Sequence, residues 1–302
     1  MKNLVEKIPI FLSADNNYAP FVATTMASIL DYTKSFIEFY ILDAGISAQN
    51  KEKITSLKNK FNNFSIEFIE LDPEKCFENF STSLHLSIST YNRLMIPVLK
   101  PNLNKILYLD VDVVVLGEIA ELYNVDLENY ALGAAWDKSR VLYNTDTKEP
   151  LELSDNYKYF NAGILLMDVQ KWRQEDIVKK LFEIQKKYAD KILHVDETLL
   201  NKYFDGNYKI FDIAWNYTDY DVVNSPEVQP MIRHFCTPMK PWNSNYQMVG
   251  NKVTPLANFD DFWHYAEMTP FYDEIKERYE CGINKNPLTK RMSQIADKMK
   301  QD

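Results

Sequence analysis

The chain has 302 residues, with 34 Lys and Arg against 43 Asp and Glu, for a formal charge of −9. Hydrophobic residues make up 46% and charged residues 25%, which excludes disordered, collagen-like and low-complexity classes. That length suits one large domain or two ordinary ones, and the acidic balance argues against a broad nucleic-acid footprint.

Only 7 glycines occur, and neither G-x-G-x-x-G nor G-x-x-x-x-G-K-[ST] is present. Any phosphate must therefore be held by a cation or by side chains. Cys76, Cys236 and Cys281 are odd in number and far apart. That pattern points to a reducing compartment and away from a thiolate metal site. The apolar stretch Ile8 to Leu12 is too short for a signal-peptide core. No run approaches the ~18 to 20 apolar residues of a membrane span. The expectation is a cytoplasmic protein.

In chain order, Ile8 to Ala14 reads as a buried strand and Tyr18 to Asp31 as a helix. A second strand spans Ile37 to Leu42. Residues 47–62 are helical, with Ser47 as the N-cap and Ile54, Leu57 and Phe61 at helical spacing. A third strand runs from Ser65 to Leu71. This alternation predicts a parallel sheet with helices packed on it.

Residues 89–100 read as a helix interrupted near Pro97. A buried strand follows at Ile106 to Leu109, and Val113 to Leu116 resumes the apolar run. Residues 138–158 form a long polar loop of the kind that serves as a lid. Phe160 to Val169 is a strand, Lys171 to Tyr188 an amphipathic helix, and Asp196 to Phe204 a shorter helix. The expected division is a main domain over 1–250 and a helical extension over 251–302.

Asp110 and Asp112 stand one residue apart inside an apolar segment. In an extended strand, positions i and i+2 share a face, and two like charges there repel and are costly to bury. A divalent cation resolves both problems, and oxygen ligands favour Mg²⁺, Mn²⁺ or Ca²⁺. The competing reading is a solvated pair at a strand end. His234, if it completes this set, adds one nitrogen and shifts the preference towards Mn²⁺. Lys240 precedes Pro241 and Trp242, and it reads either as a point charge for a phosphate or as a surface lysine.

Ligands of open α/β sheets bind beyond the carboxyl ends of the strands. Asp15, Asn17 and Tyr18 follow the first strand, and Tyr18 could stack on a base. For Asp15 and Asn17 the alternative is capping of the next helix. Asp196 and Glu197 open a helix, where acidic residues also serve as dipole partners.

Taken together, the chain resembles glycosyltransferase family 8, in particular the retaining α-galactosyl- and α-glucosyltransferases that extend bacterial lipo-oligosaccharides. The residues that carry the likeness are SADNNYAPF (13–21), LDAGIS (42–47), SISTYNRL (87–94) and KILYLDVDVVV (105–115). FNAGILLMDVQKW (160–172), DETLLN (196–201), HFCTPMKPW (234–242) and PLTKRM (287–292) continue it in order.

The resemblance implies a GT-A fold, a Rossmann-like mixed and mostly parallel sheet flanked by helices. It implies Mn²⁺ (Mg²⁺ as the alternative) on Asp110, Asp112 and His234, bridging the diphosphate of a UDP-sugar. Lys240 would contact the diphosphate. Ser13, Asp15, Asn17, Tyr18, Asp110 and Val111 would hold the nucleotide. Arg93, Asp137, Asn161, Ala162 and Asp196 would line the donor sugar, with Arg93, Asp137, Asp196 and Glu197 as the catalytic set. The implied partners are a UDP-hexose donor and a saccharide or cell-surface glycan acceptor, and the implied process is lipopolysaccharide biosynthesis.

Two positions depart from the family pattern. Thr237 stands where the family has a glycine, so a backbone contact to phosphate is lost or replaced by the hydroxyl. Asp196, Glu197 and Thr198 stand where the family reads D-Q-D, which places Glu197 at the residue facing the anomeric carbon. The competing functions are a metal-dependent nucleotide-sugar hydrolase or phosphotransferase, a non-enzymatic sugar-nucleotide binder, and self-glycosylation of a tyrosine as in glycogenin. Leu288, Met292, Ile295 and Met299 form an apolar stripe among Lys285, Lys290, Arg291, Lys298 and Lys300, against Asp297 and Asp302. In related enzymes a longer basic tail touches the membrane, so weak peripheral contact through 285–302 is a further expectation.

Overall fold

A computed structural model of the chain describes residues 7–78, 80, 88–139, 148–155, 157–237, 239–244, 246–249, 252–255 and 259–285. The stripe from Leu288 to Met299, and residues 140–147 and 156 of the expected lid, lie outside the described residues. Among the described residues, no helix is long and apolar enough to cross a membrane.

The chain opens with β1 (Lys7–Ala14), α1 (Ala19–Tyr32), β2 (Phe36–Asp43), α2 (Ala48–Thr55), β3 (Phe64–Glu70) and the single turn α3 (Pro73–Cys76). A 3₁₀ helix (Ile88–Met95) leads into α4 (Ile96–Leu99), β4 (Lys105–Leu109), β5 (Val113–Val115), α5 (Ile119–Tyr123) and β6 (Leu132–Ala135). Then come β7 (Ile164–Asp168), α6 (Val169–Gln174), α7 (Ile177–Tyr188), α8 (Val195–Phe204), β8 (Lys209–Phe211), α9 (Asp219–Asn224) and β9 (Ile232–His234). The hairpin β10 (Tyr246–Val249) and β11 (Lys252–Pro255) precedes α10 (Asp260–Glu267) and α11 (Tyr272–Lys285).

Seven strands form one sheet in the order β3-β2-β1-β4-β7-β6-β8. Pairing is parallel from β3 to β4 and between β6 and β8, and antiparallel on both sides of β7. The sheet is thus mixed and mostly parallel, flanked by helices. Strand alternation assigns each side chain to one of two cores. Ile8, Ile10 and Leu12 of β1 and Leu107 and Leu109 of β4 pack with α1, α10 and α11. Phe11, Ile106 and Tyr108 pack on the other face with Trp172, Leu181 and Leu199. Central strands buried on both faces read as near-continuous apolar runs, which is why β1 and β4 are plain in the sequence.

After β3 the chain returns to place β4 beside β1, so the strand order reverses between these two strands. The crevice beyond their carboxyl ends is the switch point where open α/β sheets bind ligands. Ser13 to Tyr18 leave β1 there, and Asp110 to Asp112 leave β4 there.

The structure corrects several expectations. Asp110 and Asp112 are not on one strand: they occupy the turn between β4 and β5, where the chain crosses to a second small sheet made with β9. The helix expected over 89–100 is a 3₁₀ helix that ends at Met95, followed by α4 from Ile96. The break does fall near Pro97, which lies in the first turn of α4, a position where its missing N–H costs nothing. The helix expected over 171–188 is two helices, broken at Asp176, whose φ of 52° is left-handed. Both keep their apolar residues buried, Trp172 on one side and Ile177 and Leu181 on the other. The strand expected from Phe160 is shorter, because Asn161 to Gly163 form a turn ahead of β7.

Candidate active site

Helix α1 fixes the turn that carries the aspartates. The buried Thr25 hydroxyl lies 3.2 and 3.0 Å from the carbonyls of Val111 and Val113, and Val115 N–H donates to Ser28 Oγ at 3.0 Å. Antiparallel pairing sets Val113 opposite His234. His234 Nε2 then lies 3.2 Å from Asp112 Oδ1 and 4.0 Å from Asp110 Oδ2. One ligand atom from each of the three residues falls within 4.8 Å of the others.

This set fits a divalent cation on three counts. Asp112 Oδ1 is buried and, apart from the His234 ring nitrogen 3.2 Å away, has no hydrogen-bond partner among the described residues, an arrangement that a cation would complete. Two carboxylates and one imidazole suit Mn²⁺ better than Ca²⁺. Gly163 leaves room for the group, since a Cβ there would lie 2.3 Å from His234 Cε1 and 2.9 Å from Asp110 Oδ2.

Arg93 stands behind the aspartates. Its Nη2 donates to Asp110 Oδ1 at 3.0 Å, its Nε lies 2.9 Å from Asp196 Oδ2, and Nη1 donates to Ala162 O. Tyr108 OH also donates to Asp110 Oδ1, at 2.9 Å, and the guanidinium lies 4.3 Å from the Tyr108 ring centroid. Burial works against the charge on Arg93, but Asp110 and Asp196 more than offset it and hold the group charged. Burial pushes Asp196 up to about 6, with Arg93 pulling the other way.

Lys240 Nζ donates to Asp112 Oδ2 at 2.6 Å and to Phe235 O at 2.5 Å. Burial opposes the charge on Asp112, and Lys240 outweighs it, keeping the carboxyl well below the usual range. The lysine and the Asp110, Asp112 and His234 set are thus one cluster. The Thr237 hydroxyl donates to Asp219 Oδ2 at 2.7 Å. There it braces the buried pair of Asp219 and Arg233, 2.9 Å apart.

At the end of β1, Asp15 Oδ1 accepts from the N–H of Asn17 at 2.9 Å and of Tyr18 at 3.1 Å. The carboxylate closes its own loop; the N-cap of α1 is Tyr18 and carries no side-chain cap bond, so neither Asp15 nor Asn17 caps that helix. Tyr18 is 41% exposed and edge-on to Trp242, whose ring stacks on Phe21 at 3.6 Å. An exposed phenol ring braced this way is a platform for a base. Ser13 is held from below, its Oγ 3.4 Å from Ser89 O and from Asn92 Nδ2.

On the other side of the aspartates, Glu197 Oε2 accepts from Asn161 Nδ2 at 3.0 Å and from Ala162 N–H at 3.1 Å. Asp137, Asn161, Asn216, Thr218 and Asp221 line one small polar pocket. Asp137 Oδ1 accepts from Ser139 N–H at 2.9 Å. Of the expected site residues, Arg93, Asp110, Asp112, Ala162, Asp196, His234 and Lys240 are joined by these contacts, Asn161 and Ala162 meet Glu197, Asp137 shares the small pocket with Asn161, and Ser13, Asp15, Asn17 and Tyr18 stand at the end of β1. Sequence reasoning missed Tyr108, Asn216 and Asp221. Tyr108 sits in a buried strand and reads as core, and the aromatic run around Asn216 shows no periodicity. A separate apolar cavity of about 560 Å³, lined by Met95, Pro97, Val98, Trp172 and Phe182 among others, includes none of these site residues.

The model of the family described as glycosyl transferase family 8 matches residues 9–246. A Haemophilus influenzae protein assigned as a glycosyltransferase is 31% identical over 284 residues, covering 88% of this chain and 85% of that protein. The galactosyltransferase LgtC, in a crystal structure with donor and acceptor sugar analogues, is similar at a TM-score of 0.76 and 30% identity. That match covers 87% of this chain and 96% of LgtC. A structure of an active-site LgtC mutant with glutamate in place of glutamine matches over the same shares, at 29% identity and a TM-score of 0.76.

Proposed function

The chain belongs to glycosyltransferase family 8, and from that premise we propose that it transfers a hexose, galactose or glucose, from a UDP-sugar to a saccharide acceptor, with a divalent cation and retention of configuration. The observation that carries this is the grouping of Asp110, Asp112 and His234 beside Lys240, at the sheet's switch point. The galactosyltransferase LgtC among the similar structures supports galactose, and the likeness to lipo-oligosaccharide enzymes supports a cell-surface glycan as acceptor.

When bound, the cation would act as a Lewis acid towards the departing diphosphate. The residues of the chain supply the rest. Asp110, Asp112 and His234 would hold the cation, and Arg93 and Tyr108 orient Asp110. Lys240 places positive charge where the leaving group becomes more negative. Tyr18 offers the face on which uracil stacks. Asp137, Asn161 and Asp196 receive hydroxyls of the donor sugar. The test is a panel of UDP-sugars assayed for Mn²⁺-dependent UDP release with and without saccharide acceptors. Equal release without any acceptor would favour a hydrolase.

Glu197 steadies positive charge on the reacting sugar and does not attack it. Its Oε2 takes two N–H donors, and a carboxylate so engaged is a weakened nucleophile. The carbonyl of a glutamine would accept both donors equally well. Glu197→Gln is therefore expected to keep kcat within about tenfold and to retain configuration, whereas Glu197→Ala loses about 10²-fold or more. A collapse of Glu197→Gln to background, together with a hexose-sized mass increase on a peptide containing Glu197, would establish the covalent route instead.

Peripheral contact with an anionic membrane surface through residues 285–302 completes the reading. Deleting them should abolish sedimentation with vesicles containing anionic lipid, while intact chain that never sediments would refute it.

A further inference from the structure

The hydrogen bonds around Asn216 have only one consistent direction, and it starts from a backbone donor. Gly163 N–H donates to Asn161 Oδ1 at 3.0 Å. A main-chain N–H cannot accept, so the atom it meets is the oxygen of Asn161. The Asn216 side-chain atom 3.0 Å from that same oxygen is therefore its amide nitrogen. The other Asn216 atom, 2.8 Å from His234 Nδ1, is then the oxygen. An oxygen there requires a proton on Nδ1, so that in the neutral ring the lone pair is on Nε2, the nitrogen nearest Asp112 and Asp110. From the other end, the remaining amide atom of Asn161 is its nitrogen, which donates to Glu197 Oε2 at 3.0 Å.

Each link donates in the same sense: His234 to Asn216, Asn216 to Asn161, Asn161 to Glu197. Asn216 is buried, 4% exposed, and rigidly placed. It ends a 3₁₀ helix (Ile213–Asn216) whose first turn is capped by Asp212. Around it, Met231 N–H donates to Ala214 O, Tyr217 N–H to Ile232 O and His234 N–H to Tyr217 O, all within 2.9 Å.

We propose that Asn216 is a positioning residue with two separable tasks: it fixes the tautomer of His234 so that Nε2 faces the cation, and through Asn161 it ties the cation site to Glu197. Metal-binding histidines commonly have the second ring nitrogen held in this way. Here the holder is an amide that also donates onward, so a single side chain spans the diphosphate and sugar halves of the site. Chains of aligned hydrogen bonds polarise one another, so a cation on His234 strengthens the hold on Glu197. This rests on the cation-dependent UDP-sugar reading above.

Two variants separate the tasks. Asn216→Leu removes both. Asn216→Asp still accepts from His234 Nδ1–H but cannot donate to Asn161. The readouts are the ¹⁵N spectrum of His234 in metal-free protein at a pH high enough that the ring is neutral, Mn²⁺ affinity by calorimetry with UDP present, and KM and kcat for UDP-galactose and UDP-glucose. Native protein should show the Nδ1–H tautomer. Asn216→Leu should lose that preference and bind Mn²⁺ about 10- to 100-fold more weakly. Asn216→Asp should keep the tautomer and bind Mn²⁺ within about threefold of native or tighter, yet lose about tenfold in kcat/KM. Should Asn216→Leu fail to fold in a thermal melt, Asn216→Asp and the native spectrum still decide. An Nε2–H tautomer in native protein, or equal loss of Mn²⁺ affinity in both variants, would overturn the proposal. Absence of Mn²⁺ binding by native protein would sink the cation reading instead, and the tautomer would still judge Asn216.

Discussion

Asp112→Ala is expected to lower kcat/KM for hexose transfer by about 10³-fold or more while leaving the fold in place. A cation that stabilises the departing diphosphate supplies several kcal/mol, and each 1.36 kcal/mol is tenfold in rate, so about 4 kcal/mol gives that factor. Asp112 acts on both sides of the leaving group. Its Oδ1 meets His234 at 3.2 Å and its Oδ2 pairs with Lys240 at 2.6 Å. Alanine therefore removes an expected ligand and leaves Lys240, whose side chain is 15% exposed, with the Phe235 carbonyl as its hydrogen-bond partner among the described residues. Asp112→Asn keeps an oxygen for Lys240 and nearly the same shape. It should fold like the native protein but transfer no better than the alanine variant, because the lost charge weakens the cation site. His234→Ala should behave alike. The measurement is Mn²⁺-dependent UDP release alongside a thermal melt, and full activity in EDTA-treated enzyme would defeat the prediction.

How legible this site was depended on what holds each residue. The strand-borne part was readable, because β1 and β4 are apolar on both faces and polar residues at their ends stand out. Asp110 and Asp112 were found for a partly mistaken reason. Strand alternation suggested a shared face, whereas a turn between two sheets brings the carboxylates together, and β9 supplies the histidine from more than 120 residues further on. Register across such a distance leaves no local periodic trace. Arg93, Asn161, Asp196 and Glu197 were all given a place at the site by resemblance, but the pairing of Asp196 with Arg93 and of Glu197 with Asn161 follows only from how α8 packs beside the 3₁₀ helix and the turn ahead of β7. The split between α6 and α7 was invisible, because both halves continue one amphipathic pattern and the break is a single left-handed Asp176. Asn216 was missed for a related reason: a buried amide between an apolar tryptophan and a tyrosine carries no charge or spacing signal, and its role exists only in the bonds it makes.

Arg93→Ala is expected to be the most destabilising single change in the cleft. The side chain is 6% exposed and pairs with Asp110 at 3.0 Å and Asp196 at 2.9 Å. Removing one partner of a buried ion pair costs about 3 to 5 kcal/mol, because the charge left behind is uncompensated. Here two carboxylates lose their partner, and the Tyr108 ring loses the guanidinium stacked on it. At roughly 2 to 4 °C per kcal/mol for a large domain, the melting temperature should fall by about 10 °C. Arg93→Lys should recover little of this, since one ammonium cannot reach both carboxylates and the Ala162 carbonyl in the planar geometry of the guanidinium. The loss should also depend on pH in a definite direction. Burial already pushes Asp196 up to about 6 against the pull of Arg93, so without Arg93 its folded-state value rises further. A carboxyl raised on folding binds protons more readily in the folded state, and stability then increases as pH falls from the folded value towards the unfolded one. The deficit of Arg93→Ala relative to native protein should therefore be largest near pH 7 and shrink towards about pH 5. A deficit that is constant across that range would mean that Arg93 acts through packing alone and that Asp196 does not feel its charge.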